Sequence, residues 1–366
     1  MSIAEKAPFQ LQRIGSVMEP DPNDPLEAWG VLNPASARSP EGDLFLYPRV
    51  VAEGNYSRIG KARVLFDGRG EPRGVERMGY VLEPEERYER SMRTHGGVED
   101  PRVTFVEPLG LWAMVYTAVS SVGPRVAVAV SRDLHTWHRL GLLKYQKTCA
   151  VSFNQYGNKD GMFFPDVVLD PKGNPALAIL HRPTYQVHRP DGTVLLEVPC
   201  DIEESRESIW IAYISLEKAK EDIRKLVYVY GNELLAAPVE QWECLKIGGG
   251  TPPVKIPGGW LTYYHGVSGN ISLDPAVTKN VCYSAGALVL DPQRPTKILY
   301  RSREPVLSPE RDPEQHGIVP NVVFPTAADV RENGEIDVYY GMADSSIGVA
   351  RTRIPDQSDW LRQVWD

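Results

Sequence analysis

The chain has 366 residues, 42% of them hydrophobic and 24% charged, and its 40 Lys and Arg against 48 Asp and Glu leave a formal charge of −8. This is ample material for a large buried core, and the mild acidity argues against a nucleic-acid or anionic-membrane surface while allowing a local basic pocket. The four cysteines, Cys149, Cys200, Cys244 and Cys282, are far apart with no CxxC pair, so they read as scattered reduced thiols rather than a disulfide frame or a zinc site.

The opening stretch MSIAEKAPFQLQRIG has no basic segment followed by an apolar one, and no run approaches the length of a membrane span. The expected location is the cytoplasm. From residue 44 onward the chain is a succession of short runs rich in Val, Ile, Tyr and Trp, cut by Gly, Pro and Asp, which is the signature of strands. One series is LFLYPRVV from Leu44, LWAMVYTAV from Leu111, ALAILHRP from Ala176, WLTYYHGV from Trp260 and IDVYYGMAD from Ile336. Each member is an apolar strand with Tyr or His toward its end, followed by a break and then a second, alternating strand. The starts run from 44 to 336, a mean spacing of 73, so the length accommodates five such units.

Between these runs lie a few distinct segments. His135 and His138 in DLHTWHRLG have a metal-like spacing without a third ligand nearby and read as a solvated turn. The stretch from Tyr185 to Ser208 is the longest irregular excursion, a lid, a subunit contact or a surface hairpin. SLEKAKEDIRKL, Ser215 to Leu226, is the clearest helix, with Ser at its start. GGGTPP, Gly248 to Pro253, leads into a strand rather than a helix, so it reads as a tight turn between units.

Five similar multi-strand units predict an all-β chain, a five-bladed β-propeller forming one catalytic domain over 1–366 with an insertion around 185–208. Two sandwich domains in tandem are the alternative, but no Pro/Ser/Gly-rich linker divides the chain. With the first strand of each blade lining a central channel, the polar ends of the repeated strands converge: Arg49, Tyr116, His181 with Arg182, His265 and Asp344.

The chemistry must then come from few groups. There is no GxxxxGK[ST] loop, no HExxH and no GxSxG. Cleavage of a glycosidic bond normally uses two carboxylates. Glu99 and Asp100 in GGVEDPR are adjacent, and neighbours in an extended segment point to opposite faces, so only one of them can serve a given substrate. Lys159 in NKD, Arg182 in HRP and His265 in YHG gather into a candidate oxyanion pocket.

GGVEDPR at 96–102 resembles the signature of glycoside hydrolase family 130, the β-mannoside phosphorylases and related mannosidases. The likeness extends through DPLEAWGVLNPAS, YSRIGKARV, NKDGMFFPD, LHRP, PPVKIPGGWLTYYHGV, YSAGALVLD, GIVPNVVFPT and YYGMAD, in order along most of the chain. The resemblance implies the five-bladed propeller. It implies Asp100 as the general acid, with its proton passing through a mannose hydroxyl, and inorganic phosphate as the nucleophile that gives α-mannose 1-phosphate with inversion. It places phosphate on Lys159, Arg182, His265 and Tyr283, and the reacting mannose on Asn33, Arg49 and Asp344. Pro48 departs from the expected pattern, because Pro cannot donate to a ladder and predicts an irregular innermost strand.

The expected function is therefore phosphorolysis of β-mannosides, with phosphate as co-substrate and no cofactor, metal, nucleic acid or membrane, and homo-oligomerisation left open. The alternatives are a β-mannosidase of the same family acting on β-1,2- or β-1,4-linkages, a non-catalytic carbohydrate-binding propeller, and a five-bladed furanosidase. The last would need three spread carboxylates, whereas only Asp100 and Asp344 are well placed.

Overall fold

A computed structural model describes residues 8–91, 96–147, 153–189, 193–199, 202–270 and 280–361. Cys149, Cys200 and the first seven residues lie outside this set; Cys244 and Cys282 are free thiols. The fold is all-β. Its described strands form five antiparallel meanders of four principal strands each. The first runs Gly30–Arg38, Leu44–Ala52, Tyr56–Phe66, Pro72–Leu82, and the second Gly96–Val106, Leu111–Ser120, Gly123–Ser131, His138–Leu142. The third is Asn158–Phe163, Pro175–Pro183, Ile209–Ser215, Tyr228–Ala236, and the fourth Lys246–Gly249, Gly259–Asn270, Asn280–Leu290, Ile298–Arg301. The fifth takes Val323–Val330, Glu335–Met342 and Ser346–Arg353, and borrows its outer strand from the other end of the chain, where Gln12–Met18 pairs antiparallel with Ser346–Arg353. The first two meanders join into one eight-stranded sheet through a short parallel bridge, Tyr56 to Gly96 and Ser57 to Gly97.

The middle strands read as unbroken apolar runs because both of their faces are covered. Leu111–Ser120 and Gly259–Asn270 are buried along nearly their whole length. Apolar clusters fill the spaces between consecutive meanders. Phe45, Tyr47 and Ile59 meet Val98, Val103 and Met114; Val126 and Val128 meet Phe163, Leu177 and Ile179; Ala178 and Ile211 meet Trp260 and Leu288. Leu261 and Val289 meet Val323 and Val338, and Tyr339 and Val349 meet Val31, Leu44 and Leu46, which closes the series.

A second repeat lies in the loops that enter the first strands. In four of the meanders a buried glutamate caps a short turn and accepts an arginine from the outermost strand: Glu27 from Arg77 at 2.7 Å, Glu89 from Arg139 at 2.9 Å, Glu243 from Arg301 at 2.5 Å and Glu314 from Arg13 at 2.8 Å. Three of these carboxylates also accept a tyrosine hydroxyl from the second strand, Tyr116, Tyr264 and Tyr340. Each clamp ties the first strand's approach to the sheet's outer edge.

Several expectations change here. The repeated apolar runs found in the sequence are the second strands of their meanders, not the first. Since alternate residues of a strand face opposite ways, Arg49, Arg182 and His265 stand in matching register, while Tyr116 and His181 are one residue out. Tyr116 turns away to Glu89 at 2.6 Å, and His181 is buried between Asn158 and Asn232. Gly248 and Gly249 are not a turn but part of the Lys246–Gly249 strand. Pro48 occupies the same register as Tyr116 and Tyr264, opposite a bulge at Asn33–Pro34 where the ladder is already interrupted. The expected helix splits: Leu216–Glu221 is capped by Ser215, and Asp222 then accepts from Arg224 N–H and starts a separate 3-10 turn over Ile223–Val227. The excursion contains a surface hairpin, Gln186–His188 with Val194–Leu196, whose Leu196 is exposed; its residues 190–192, 200 and 201 are outside the described set.

Removing one partner of a clamp strands a buried charge, which costs about 3–5 kcal/mol. Arg301→Ala is expected to lower the unfolding free energy by that order through Glu243, as read by urea denaturation, whereas Arg63→Ala, whose pair with Glu76 is exposed, should leave the denaturation midpoint nearly unchanged.

Candidate active site

The first strands of the meanders carry bulges. The pairing shifts register between Leu32 and Ala35, between Glu99 and Arg102, and between Lys159 and Met162. At each bulge one residue takes a left-handed backbone: Asn33 at φ 44°, Asp100 at φ 46° and Asp160 at φ 54°. Asp344, in the turn after Glu335–Met342, has φ 53°. Asn and Asp tolerate this region better than other side-chain-bearing residues, and such strain concentrates at functional sites. The bulges re-aim these side chains out of the pleat and into one cavity of about 670 Å³.

The eight residues that the family resemblance implies all line that cavity, Asn33, Arg49, Asp100, Lys159, Arg182, His265, Tyr283 and Asp344, whereas the strand-end candidates Tyr116 and His181 do not. The eight divide into two groups. In the first, Asp100 Oδ1 accepts from Asn33 Nδ2 at 2.9 Å and Arg49 Nη1 at 3.2 Å. Arg49 gives three further N–H groups to Glu99 at 2.9 Å, Asn55 at 3.0 Å and Ser57 at 2.9 Å, which leaves one on Nη1. Gly341 leaves room for Asn33, since a Cβ there would fall 2.0 Å from Asn33 Oδ1. Burial favours the neutral form of Asp100, but the charges of Arg49, Lys159 and Arg102 and the Asn33 hydrogen bond outweigh it, so its pKa lies below the usual carboxylate value. Asp344 goes the other way. Burial, with Asp100 and Glu99 as like charges, outweighs Arg49 and Lys159 and raises it to about 6.

The second group is cationic. Lys159 approaches Glu99 at 3.5 Å. Arg182 donates Nε to Asp160 at 2.5 Å and pairs through Nη1 with Glu207. His265 is fully buried, its ring against Phe324 at 4.4 Å and stacked on Tyr283 at 5.9 Å. Burial, reinforced by Arg182, Arg102 and Lys246 against the pull of Asp160, lowers its pKa to about 3, so the imidazole is neutral. Neither ring nitrogen makes a hydrogen bond within the described residues. A neutral ring offers one donor and one acceptor to a ligand.

Sequence reasoning missed the residues that hold this arrangement. Arg102 is completely buried and gives its donors to three carbonyls, Asp100 at 2.9 Å and Gly249 and Gly250 at 3.1 Å each, with Asp160 at 3.6 Å. It was present in the GGVEDPR motif but carried no local sign of its partners. Gly248 and Gly250 permit the approach: a Cβ on the first would sit 2.3 Å from Asp160 Oδ2, and on the second 2.3 Å from Tyr263 O. Lys246 also lines the cavity, over the Tyr283 ring at 5.7 Å, and burial is the main cause of its lowered pKa. A second concavity of about 640 Å³ is lined by Glu19, Asp21, Asp24 and Asp312, a surface unsuited to an anion. No group of three or more metal-ligating side chains occurs among the described residues, and His135 instead contacts Lys61 at 2.9 Å.

A family model described as beta-1,4-mannooligosaccharide phosphorylase matches residues 10–363. The chain is 31% identical over 264 residues to the 1,2-beta-oligomannan phosphorylase of Thermoanaerobacter sp., a match covering 71% of this chain and 69% of that protein. It is 28% identical over 285 residues to the beta-1,4-mannooligosaccharide phosphorylase of Ruminococcus albus, covering 77% and 70% respectively. The solved beta-1,2-mannobiose phosphorylase of Listeria innocua, in complex with beta-1,2-mannobiose, shares the fold with a TM-score of 0.66 at 23% identity, over 95% of this chain and 99% of that one. The chain belongs to glycoside hydrolase family 130.

The raised Asp344 has a stability consequence. Its folded pKa of about 6 exceeds the unfolded value near 3.8, so the wild type loses stability as pH rises through that window. Asp344→Asn should show no gain in melting temperature below about pH 4, a gain that grows between pH 4 and 6, and a constant gain above; thermal melts across pH 3.5–8 check this.

Proposed function

We propose that this protein is an inverting phosphorylase of β-mannosides, using inorganic phosphate as co-substrate and releasing α-mannose 1-phosphate. The observation that carries the reading is the division of one cavity between Asp100, with Asn33, Arg49 and Asp344 around it, and a set of groups suited to an anion, Lys159, Arg182, His265 and Tyr283. Membership of family 130 and the phosphorylase names of its relatives support it.

In this reading Asp100 is the general acid. Asn33, Arg49 and Asp344 hold the hydroxyls of the reacting mannose. Phosphate sits on Lys159, Arg182, His265 and Tyr283, with Lys246 as a further cation. A phosphate oxygen attacks C1 from the face opposite the leaving sugar, the C1–O glycosidic bond breaks, and the leaving oxygen takes the Asp100 proton through a mannose hydroxyl. Phosphate supplies the nucleophile, so no carboxylate base is needed, and the reading requires no cofactor or metal. A hydrolase would need such a base; Glu99, Asp160 and Glu207 each already face a cationic partner.

The charges also explain how the acid is loaded. Asp100 is ionised in the free protein because cations outweigh burial. A phosphate dianion beside Lys159 cancels part of that attraction, and a bound sugar excludes water. Both shifts raise the Asp100 pKa toward the operating pH, as general acid catalysis requires.

The five meanders with their cyclic sequence of apolar interfaces support a five-bladed propeller, one domain over 1–366, with the hairpin near 185–208 as an insertion. A cytoplasmic location fits a phosphate-dependent enzyme with reduced thiols. No helix among the described residues is long and apolar enough to cross a membrane.

Purified protein with β-mannobiose should release mannose 1-phosphate only when phosphate is added; equal turnover in phosphate-free buffer, followed by mannose and mannose 1-phosphate assays, would overturn the reading. Asp100→Asn should reduce turnover by about 10²–10⁴-fold with an unchanged circular dichroism spectrum. A rate like the wild type's would remove Asp100 from the mechanism.

A further inference from the structure

Arg182 enters the anion pocket between two carboxylates of different freedom. Asp160 is buried to 1% exposure and held by Arg102 at 3.6 Å as well as by Arg182 Nε. It is a fixed counter-charge. Glu207 meets Nη1 on the other side, and its side chain keeps 20% exposure. It reaches the pocket from the end of the Tyr185–Ser208 excursion, where its carbonyl accepts the Ile247 N–H at 3.0 Å, next to Lys246. Its main chain is thus anchored, and its side chain, unlike that of Asp160, is partly open to solvent.

We propose that Glu207 is a built-in competitor for the phosphate site, a chain-borne carboxylate that contests the outer edge of Arg182 and so sets the affinity for phosphate. The proposal rests on the reading of this pocket as the phosphate site. Three cations face the cavity here, Lys159, Arg182 and Lys246. Lys159 is partly neutralised by Glu99 and Arg182 by Asp160. Without a further negative charge, a phosphate dianion would meet an excess of unscreened donors and bind tightly. The sugar phosphate product carries a similar charge and would be retained equally. A carboxylate that must give up Arg182 before the ligand gains it reduces the apparent affinity by the fraction of protein in the competent state. Its negative charge beside the dianion weakens binding further. Glu207 therefore acts through Arg182 as a positioning residue and is not a catalytic one.

The test is calorimetric titration of the full chain with inorganic phosphate, alongside steady-state kinetics. Glu207→Gln keeps the size and removes the charge. It is expected to tighten the phosphate Kd by roughly tenfold, to lower the KM for phosphate in parallel, to slow turnover at saturating phosphate through product retention, and to leave the KM for β-mannobiose unchanged. Glu207→Asp keeps the charge and should stay within about twofold of the wild type. Glu207→Ser, with no carboxylate and less bulk, should tighten phosphate in the same direction, which keeps the test decisive if the Gln variant folds poorly. Wild-type protein that binds phosphate while the Gln and Ser variants bind it no better, or more weakly, overturns this proposal alone. Wild-type protein that does not bind phosphate overturns both it and the phosphorylase reading.

Discussion

The Arg102 guanidinium is taken wholly out of water and given the carbonyl oxygens of Asp100, Gly249 and Gly250, the Asp160 carboxylate at 3.6 Å, and the face of the Phe324 ring at 5.6 Å. Burying an arginine costs several kcal/mol unless its donors are met. Here they are met by two meanders that are remote in sequence. The side chain can be satisfied only when the Gly96–Val106 strand, the Lys246–Gly249 strand and the Asn158–Phe163 bulge are all in place. In return it fixes the carbonyl of Asp100, the residue on which the proposed proton transfer turns.

From that junction the electrostatics spread outward. Asp160 faces Arg182, Arg102 and the neutral His265, and the charges of the two arginines hold its pKa far below the usual carboxylate range against the effect of burial. Arg49 pairs with both Glu99 and Asp100, and its charge lowers the pKa of Asp100. Two carboxylates in one cavity then diverge: Asp100 is kept ionised by cations, and Asp344, with less help, is raised to about 6. Their surroundings thus push the two pKa values apart. A negative charge placed beside Lys159 would therefore raise the pKa of Asp100, whose carboxylate that lysine helps to keep ionised.

The peripheral clamps perform a separate task. Glu27, Glu89, Glu243 and Glu314 recur at the entry to the first strands, each with an arginine from an outer strand. They make a bulged strand dependable by tying its approach to the sheet edge. Pro48 is informative here. It stands in the register of the clamp tyrosines, so the first meander has no hydroxyl from that position, and Tyr80 instead donates to Asp24 at 3.2 Å.

The sequence by itself determined the all-β character and the fivefold repeat, because strands covered on both faces must be continuous apolar runs that stand out at regular spacing. The resemblance of blocks such as GGVEDPR and NKD to a known family also pointed to eight residues that line one cavity. Only the tertiary structure decided which strand of each meander comes first. Two of those strands are short, Lys246–Gly249 having four residues and Asn158–Phe163 six, and the others are interrupted by bulges that break the alternation that would reveal them. It also decided that Tyr116 and His181 face away, since a one-residue change of register reverses a strand's side chains. The partners of Arg102, Asp160 and Arg182 were invisible for the same underlying reason. Coulomb attraction and hydrogen bonding depend on distance in space, and Gly250 lies 148 positions from Arg102 along the chain but within 3.1 Å of it in the fold.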